Sequence, residues 1–298
     1  MKLVTLPNPT QRGCAVHLTF PAYRPLLAAA SGNVSALMIA DGDAVAALAL
    51  WRCSADRTRA RLLSLMVDPG HRRQGLARRL LEASPRCLGY GGAAVYWSSR
   101  LPAAAAFEAA LLGCGWSGKR LDQRRVSGTA ASARAWAGRR GMDRMLVRRG
   151  LHFDSFADLD EAQRRDITAQ AAQAGIAETW RPFAPLAGER VVPELSLIMS
   201  WHGRLAGWLT TTETAPGQIW YYRLVGVAAP QSSGAMMPLI VEVNRRHFLR
   251  DGPEARWRWN TASDQPQMLA FLDRHAAEFC DFFVDHWVSE IEVSPSGH

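Results

Sequence analysis

Residues 64–81 read SLMVDPGHRRQGLARRLL, and their hydrophobic period changes halfway along. The apolar run Leu62–Val67 has the length of a strand covered on both faces, whereas Leu76, Leu80 and Leu81 recur at helical spacing. A polar turn therefore joins a strand to the start of a helix. Main-chain N–H groups at such a junction point at one spot, and the helix dipole favours negative charge there. The stretch predicts an anion-binding site.

Two features of the turn sharpen this prediction. Gly75 and Ala77 have little or no side chain, so a phosphate can approach the main chain closely at both positions. Four arginines crowd the helix start, where each cation opposes the helix dipole by roughly 0.3–1 kcal/mol. They are Arg72, Arg73, Arg78 and Arg79. A bound polyanion would make this arrangement favourable, and the alternative is that they are solvated side chains in an arginine-rich chain.

The pattern Leu65-x-Val67-x-Pro69-x-x-Arg72-x-x-Gly75-x-Ala77, followed by Leu80-Leu81, resembles the acyl-CoA-binding motif of the GCN5-related N-acetyltransferase (GNAT) superfamily. The resemblance implies acetyl-CoA as co-substrate, with the pantetheine arm along the main chain near Val67 and the pyrophosphate in the turn. Ser98 or Ser99, after the next strand, matches a polar position that meets the arm in many members, although a strand-end cap is an equal interpretation. The cofactor-binding residues expected from the resemblance are Leu65, Met66, Val67, Arg72, Arg73, Gln74, Gly75, Leu76, Ala77, Arg78 and Ser99.

Composition indicates a globular chain of two domains. The 298 residues are 48% hydrophobic and 21% charged, and no apolar run reaches the 18 or more residues that a membrane span needs. The five cysteines are scattered without a C-x-x-C pair, which favours reduced thiols and a cytoplasmic location. The eight histidines show no metal-ligand spacing, so no metal site is predicted.

Charge is divided unevenly along the chain. Residues 1–144 carry 21 Lys and Arg against 8 Asp and Glu, whereas residues 145–298 carry 14 against 19. The two halves could dock by complementary charge. Alternatively, the basic half attracts a phosphorylated ligand such as CoA and the acidic half an amine. A nucleic-acid partner is less favoured, because no basic stretch is interleaved with aromatic residues. A homodimer is compatible with the sequence.

Local patterns predict an α/β fold with a mixed sheet and two tandem GNAT-like domains. In the first half we expect a strand at Val16–Phe20, a helix at Arg24–Ser31 and a hairpin at Asp41-Gly42-Asp43. Pro85 is expected to kink or end the helix that starts at the anion site. The predicted division is a GNAT domain with an intact motif over 1–126, a linker over 127–144, and a diverged domain over 145–298.

The second half repeats the element order of the first, which indicates a degenerate internal duplication. Its motif-like segment, Val227-x-x-Pro230-Gln231-x-x-Gly234-x-Met236, keeps a Gln and a Gly. Met236 stands where a small residue is expected, so the close approach of a pyrophosphate should be hindered. Asn260 has the place that Ser98 or Ser99 has in the first half.

The usual proton carriers of the family are missing from the first half. Arg61 lies near the place of the Glu that many members carry, and Leu111 stands in place of a Tyr. The catalytic residues are therefore left unassigned. Water or the substrate could carry the protons, or Tyr221 and Tyr222 of the second half could assist, although both fit packing on a strand better.

Three functions stay open at this point. The first is an N-acetyltransferase that acts by direct attack of an amine, on a small molecule or a peptide, in a ternary complex. The second is a non-catalytic acyl-CoA sensor or scaffold. The third reverses the halves, with the C-terminal half catalytic.

Overall fold

A computed structural model describes residues 1–5, 13–28, 33–56, 58–142, 150–227 and 236–292. The chain divides into two compact units. The first combines Met1–Asp122 with Asp285–His298, and the second is Gln123–Val284. The first unit is therefore assembled from two stretches that are far apart in the sequence.

The sheet of the first unit has the strand order β1-β2-β3-β4-β5-β13. Only β4 and β5 pair in parallel, and the other neighbours are antiparallel. The strands are β1 (Lys2–Thr5), β2 (Val34–Asp41), β3 (Ala44–Cys53), β4 (Arg59–Val67), β5 (Gly92–Ser98) and β13 (Phe282–Glu292), of which the last begins in the second unit. The helices are α1 (Arg24–Ala28), α2 (Leu76–Leu88) and α3 (Ala104–Gly113).

Both faces of this sheet are covered. On one face α2 buries Leu76, Leu80 and Leu81, the residues whose spacing predicted the helix, in a cluster that includes Trp51. On the other face the N-terminal segment buries Leu18 against β2 and β3. The predicted hairpin is present, with Asp41 paired to Ala44.

Two local predictions in this unit need correction. Val16–Phe20 is not a strand, because a 3-10 helix spans Gly13–Leu18. Its buried residues are Ala15 and Leu18, which lie three apart as a 3-10 helix requires. Pro85 is expected from the sequence to kink or end α2, and it does not end the helix, which continues to Leu88. The helix predicted over Arg24–Ser31 is described as α1, and residues 29–32 lie outside the described residues.

The strand β13 was not foreseen from the sequence. His286–Glu292 pairs antiparallel with Gly92–Ser98 along all seven positions of β5. Val288 is fully buried in this strand. Its partner strand lies almost 200 residues earlier in the chain, so the pairing cannot be predicted from a local sequence pattern.

The second unit has the strand order β6-β12-β11-β10-β9-β7, with β8 paired to β10. Its strands are β6 (Arg120–Thr129, which begins in the first unit), β7 (Leu151–Ser155), β8 (Arg190–Val191), β9 (Leu197–Trp201), β10 (Arg204–Ala215), β11 (Gln218–Gly226) and β12 (Arg256–Ala262). Its helices are α4 (Ala130–Arg139), α5 (Glu161–Gln173), α6 (Met236–Asp251) and α7 (Pro266–Phe279). As β4 does with β5, β11 pairs in parallel with β12.

The segment predicted as a linker carries regular structure. Residues 127–129 end β6, and α4 follows with a Thr129 side-chain cap on the Ser132 N–H at 3.1 Å. Trp136 of α4 is buried 4.8 Å from the ring of Phe279. Residues 143–149 lie outside the described residues. The division at 126, 144 and 145 stays a prediction, and the compact units differ from it by placing α4 in the core of the second unit and β13 in the sheet of the first.

The motif-like turn of the second half also lies outside the described residues, from 228 to 235, and includes Pro230, Gln231 and Gly234. Met236 begins α6. None of the described helices is long and apolar enough to cross a membrane.

The shared sheet of the first unit leads to a truncation prediction. A chain ended at residue 284 should lose the cooperative unfolding of the first unit, because β5 loses its ladder partner and a side chain such as Val288 loses burial worth roughly 1.5–3 kcal/mol. A chain ended at residue 292 is the control and should unfold like the full chain. Urea unfolding followed by tryptophan fluorescence, with limited proteolysis, measures both. Equal midpoints for the two truncations would contradict the assignment of β13 to this sheet.

Candidate functional site

The central feature of the site is the separation of β4 from β5. The two strands pair from Arg59 with Gly92 up to Leu62 with Val95, and the pairing stops there. A register shift in the β3–β4 ladder leaves Leu63 without a partner, which is a bulge at the same point. Beyond the bulge, β4 keeps only β3 as its neighbour.

The main chain of β4 beyond this point has groups that face the gap. The Asp68 N–H donates to the Ala46 oxygen of β3 at 2.9 Å. Main-chain groups along a strand alternate between its two sides, so Met66 also faces β3, whereas Leu65 and Val67 face the gap. The gap is therefore lined by main-chain donors and acceptors that the sheet does not use.

A cavity of about 640 Å³ occupies the gap and its mouth. Its walls come from β4, β5, the segment before α1 and the start of α3. Residues of its wall include Phe20, Tyr23, Leu63, Ser64, Leu65, Tyr96, Trp97, Ser98, Arg100, Leu101 and Phe107. Among the described residues that line it, none is an Asp or a Glu, and Arg100 is the one charged side chain.

The turn after β4 leads straight into α2. Asp68 accepts the Gly70 N–H at 2.9 Å, and this bond with the contact to His71 lowers the pKa of its carboxyl group. Arg73 and Gly75 both have left-handed backbone angles, with φ of 63° and 72°. A Cβ on Gly75 would meet nothing within 4 Å, so the glycine is required there by its backbone angle and leaves open space beside the turn.

The amide groups of the turn are available to a ligand. The Arg72 N–H donates to the Pro69 oxygen at 3.5 Å, and the next N–H with a main-chain acceptor is that of Arg79, which donates to the Gly75 oxygen at 3.0 Å. For the N–H groups of residues 73–78, the described residues offer no hydrogen-bond acceptor. Six consecutive unpaired donors at a helix start form the kind of concave cradle that binds anions.

The arginines of the turn are exposed and differ in their partners. Arg72 donates weakly from Nε to the Val67 oxygen at 3.5 Å, and Arg78 pairs with Glu82 at 2.7 Å. Arg73 and Arg79 have no carboxylate within ion-pair distance anywhere in the described ranges. At least three of the four guanidinium groups therefore carry charge that no nearby carboxylate balances.

The residues expected in the site lie on β4, in the turn that follows it and after β5. Leu65 lines the cavity, whereas residues 72–78 form the turn and the helix start after β4. Ser99 is engaged elsewhere, because its Oγ accepts the Asp285 N–H at 3.2 Å, and it is Ser98 that lines the cavity. In the second unit, the Asn260 Oδ1 accepts Nε–H of Arg125 at 3.2 Å.

The two positions that lack the family's usual proton carriers do not supply one. Of the two tyrosines considered instead, Tyr222 stays a prediction, and its ring packs 4.9 Å from that of Trp220. Leu111 is buried in the core of the first unit, and Arg61 lies over the ring of Tyr96 at 4.4 Å. Tyr221 is buried in the second unit and stacks on Trp257, with ring centroids 5.7 Å apart. Burial raises the pKa of Tyr221 well above its ordinary value, so its hydroxyl stays protonated. Tyr221 is a packing residue.

Sequence reasoning missed the aromatic walls of the cavity. Phe20 and Tyr23 come from an irregular segment, and Tyr96 and Trp97 lie on opposite faces of one strand, so neither pair forms a motif. Ser64 and Trp97 also bury polar atoms, Oγ and Nε1, for which the described part of the chain holds no partner. Only the separation of β4 from β5 places these residues around one space.

A split parallel strand pair followed by an arginine-rich helix start is consistent with the GNAT resemblance of the sequence. Residues 33–110 match the family model described as "Acetyltransferase (GNAT) domain". Among curated proteins, none matches the sequence significantly. These residues are thus similar to a GNAT acetyltransferase domain, and the chain as a whole has the fold of a tandem GNAT protein.

Similar solved structures cover nearly the whole chain. A tandem GNAT protein from the clavulanic acid biosynthesis pathway is 16% identical, with 99% of this chain and 100% of that chain covered and a TM-score of 0.53. A GCN5-related N-acetyltransferase from Sphaerobacter thermophilus is 16% identical, with 98% and 97% covered and a TM-score of 0.54. At this level of identity the likeness concerns the fold alone.

The left-handed angle of Arg73 gives a stability prediction. Arg73→Gly should leave the free energy of unfolding unchanged or raise it by up to about 1 kcal/mol, because relief of about 1–2 kcal/mol of backbone strain is partly offset by the entropy of glycine in the unfolded chain. His202→Gly, at the other left-handed non-glycine residue described (φ 49°), should behave alike. Urea denaturation measures both, and a clear loss of stability in Arg73→Gly alone would contradict the described turn.

Proposed function

We propose that the first unit binds acetyl-CoA and that the protein transfers the acetyl group to an amine by direct attack in a ternary complex. The observation that carries this proposal is that β4–β5 pairing ends at Leu62 and that β4 then leads into a turn with six unpaired amides. The family match over residues 33–110 supports acyl-CoA-dependent transfer in general. We propose the acceptor and the roles of individual residues in addition to what this match supports.

Each part of the cofactor has chemistry to match it in the first unit. The pyrophosphate would lie against the amides of residues 73–78, with Arg72 and Arg73 beside it. The amide groups of the pantetheine arm would pair with the main chain of Leu65 and Val67, as a strand would. The turn and helix start that would hold the pyrophosphate also include Gln74, Leu76, Ala77 and Arg78. Met66 pairs with Leu48 of β3.

The chemical step requires little from side chains. Acetyl-CoA supplies a thioester whose carbonyl carbon the amine attacks, with the thiol as leaving group. A main-chain N–H of β4 that faces the gap can donate to the carbonyl oxygen as negative charge develops on it. Because Leu111 and Arg61 cannot act as base or acid, the amine must enter uncharged, and water or the substrate carries the proton to the thiolate.

The lining of the cavity supports an apolar acceptor. Aromatic rings of Phe20, Tyr23 and Phe107 surround the mouth, and no carboxylate of the described residues is present there to hold a polycation. Transfer of a cationic amine from water to this apolar wall beside Arg100 costs free energy, because no carboxylate of the described lining residues offsets the loss of hydration. An aryl or alkyl amine buries its apolar part against these rings.

The second candidate is a non-catalytic acyl-CoA sensor. It is favoured by the same absence of a proton carrier among Arg61, Leu111 and the buried Tyr221. It requires the same cofactor site and differs only in turnover.

Cofactor binding is tested with two matched glycine variants. Gly75 and Gly89 stand at opposite ends of α2, both with left-handed angles and with open space where a side chain would begin. Gly75→Trp should abolish acetyl-CoA binding, because the indole fills the phosphate cradle, whereas Gly89→Trp should bind like the wild type. Isothermal titration calorimetry measures both, with thermal unfolding to match their stability. Unchanged affinity in Gly75→Trp would remove the proposed site.

Turnover and acceptor class are tested by release of free thiol from acetyl-CoA. Phenethylamine should release thiol at least about tenfold faster than spermidine, because only the first suits an apolar wall without carboxylates. Faster reaction with spermidine would contradict the apolar acceptor. Tight acetyl-CoA binding without thiol release from any amine would favour the sensor.

A further inference from the structure

A second group of arginines lies in the second unit. Strand β12 begins with Arg256-Trp257-Arg258-Trp259, in which arginine and tryptophan alternate. Both tryptophans are buried in the core of the unit. Successive side chains of a strand point to opposite faces, so Arg256 and Arg258 share the face that the core does not cover.

The register of the sheet adds a third arginine to this face. Arg258 pairs with Ser127 of β6, and Asn260 pairs with Arg125. Arg125 is thus the diagonal neighbour of Arg258, a relation that in antiparallel pairs corresponds to about 7–8 Å. The three arginines line one pocket of about 180 Å³ with Thr214, Gln218 and Ser127.

Only one of the three arginines of this pocket is paired with a carboxylate of the described residues. Arg256 pairs with Asp281 at 2.6 Å. Arg125 is oriented by its bond to Asn260, and Arg258 lies 4.6 Å above the ring of Trp220. Within the described ranges neither of these two has a carboxylate at ion-pair distance, and the buried Nε of Arg258 has no acceptor.

Two half-buried cations side by side are unfavourable unless a ligand carries the opposite charge. Burial lowers the pKa of Arg258, and the charge of Arg125 lowers it further, against an opposing effect of Glu189. The stacking on Trp220 and the bond to Asn260 fix both guanidinium planes in advance. A guanidinium group held in a fixed plane is suited to bind a tetrahedral oxyanion, because the anion can accept two hydrogen bonds from each such group.

We propose that the pocket of Arg125, Arg256 and Arg258 binds a small phosphate or sulfate group. The volume accommodates such a group with a few attached atoms. The pocket lies at the first residues of β11 and β12, whereas the motif-like turn of the second half follows the last residues of β11. The site is therefore separate from any remnant of a cofactor site in that half, and it does not depend on the acyl-transfer proposal.

The experiment titrates the full chain with inorganic phosphate at constant ionic strength, followed by calorimetry and by the midpoint of thermal unfolding. Glycerol 3-phosphate, sulfate and acetate are titrated in parallel. Phosphate and sulfate should bind, and acetate should bind at least about tenfold more weakly, because a planar carboxylate has fewer oxygens to share among three guanidinium groups. Tighter binding of glycerol 3-phosphate than of phosphate identifies a phosphate ester as the ligand, and the reverse identifies the free ion.

Variants separate this pocket from the GNAT turn. Arg258→Met keeps a stem to pack on Trp220 and, compared in the Gly75→Trp background so that phosphate at the turn does not contribute, should lose at least about tenfold in phosphate affinity. Arg165→Gln removes the same charge from the exposed side of α5 and should bind phosphate like the wild type. Gly75→Trp, which blocks the turn of the first unit, should retain the phosphate response. The melting midpoint of Arg258→Met without phosphate should equal or exceed that of the wild type, since an unpaired half-buried charge is removed.

Three results would overturn the proposal. They are equal binding of acetate and phosphate, wild-type phosphate affinity in Arg258→Met, and loss of the phosphate response in Gly75→Trp. If Arg258→Met were unfolded, Arg125→Gln would replace it, with the same expected loss of affinity.

Discussion

The site depends on one constraint, which is that β4 and β5 stop pairing after four residues. A parallel pair that continued would consume every main-chain donor and acceptor between the strands and leave no space. The bulge at Leu63 marks the point of separation, and the gap-facing groups of Leu65 and Val67 follow from the alternation set by the Asp68 bond to Ala46. Unpaired main-chain groups in such a place are costly unless water or an extended ligand pairs with them. The fold therefore leaves one edge of β4 unpaired beyond Leu62, and local sequence patterns predict this feature only in part.

Sequence alone could predict the strand, the turn and the helix of the site, because these are local. The change of hydrophobic period, Gly75 and the arginines lie within 18 residues, and the hairpin at Asp41-Gly42-Asp43 is equally local. The aromatic walls were out of reach, because Phe20, Tyr96 and Phe107 meet only through the separation of two strands. The segment before α1 was misread because a 3-10 helix and a strand can both be built from a short apolar run. The strand β13 was missed because its partner is remote in sequence.

The two units repeat an element order and differ in chemistry. The first presents unpaired amides and arginines at a helix start, and the second presents arginines on the face of a sheet. In the first, glycine and alanine leave the main chain accessible. In the second, Trp257 and Trp259 fill the core side of β12 and leave Arg256 and Arg258 on the other side. The arginines of the two units therefore lie at different places in the fold, at a helix start in the first and on a sheet face in the second.

The placement of β13 affects how the protein is made. The sheet whose strand β4 leads into the arginine-rich turn can be completed only after residue 292 has left the ribosome, although the turn itself is translated more than 200 residues earlier. During that interval β5 has an open edge, which exposes main-chain groups to other chains. Long-range pairing of this kind slows folding and lengthens the time during which aggregation competes. The chain crosses between the units twice, so that the first unit cannot be expressed as an uninterrupted segment with its full sheet.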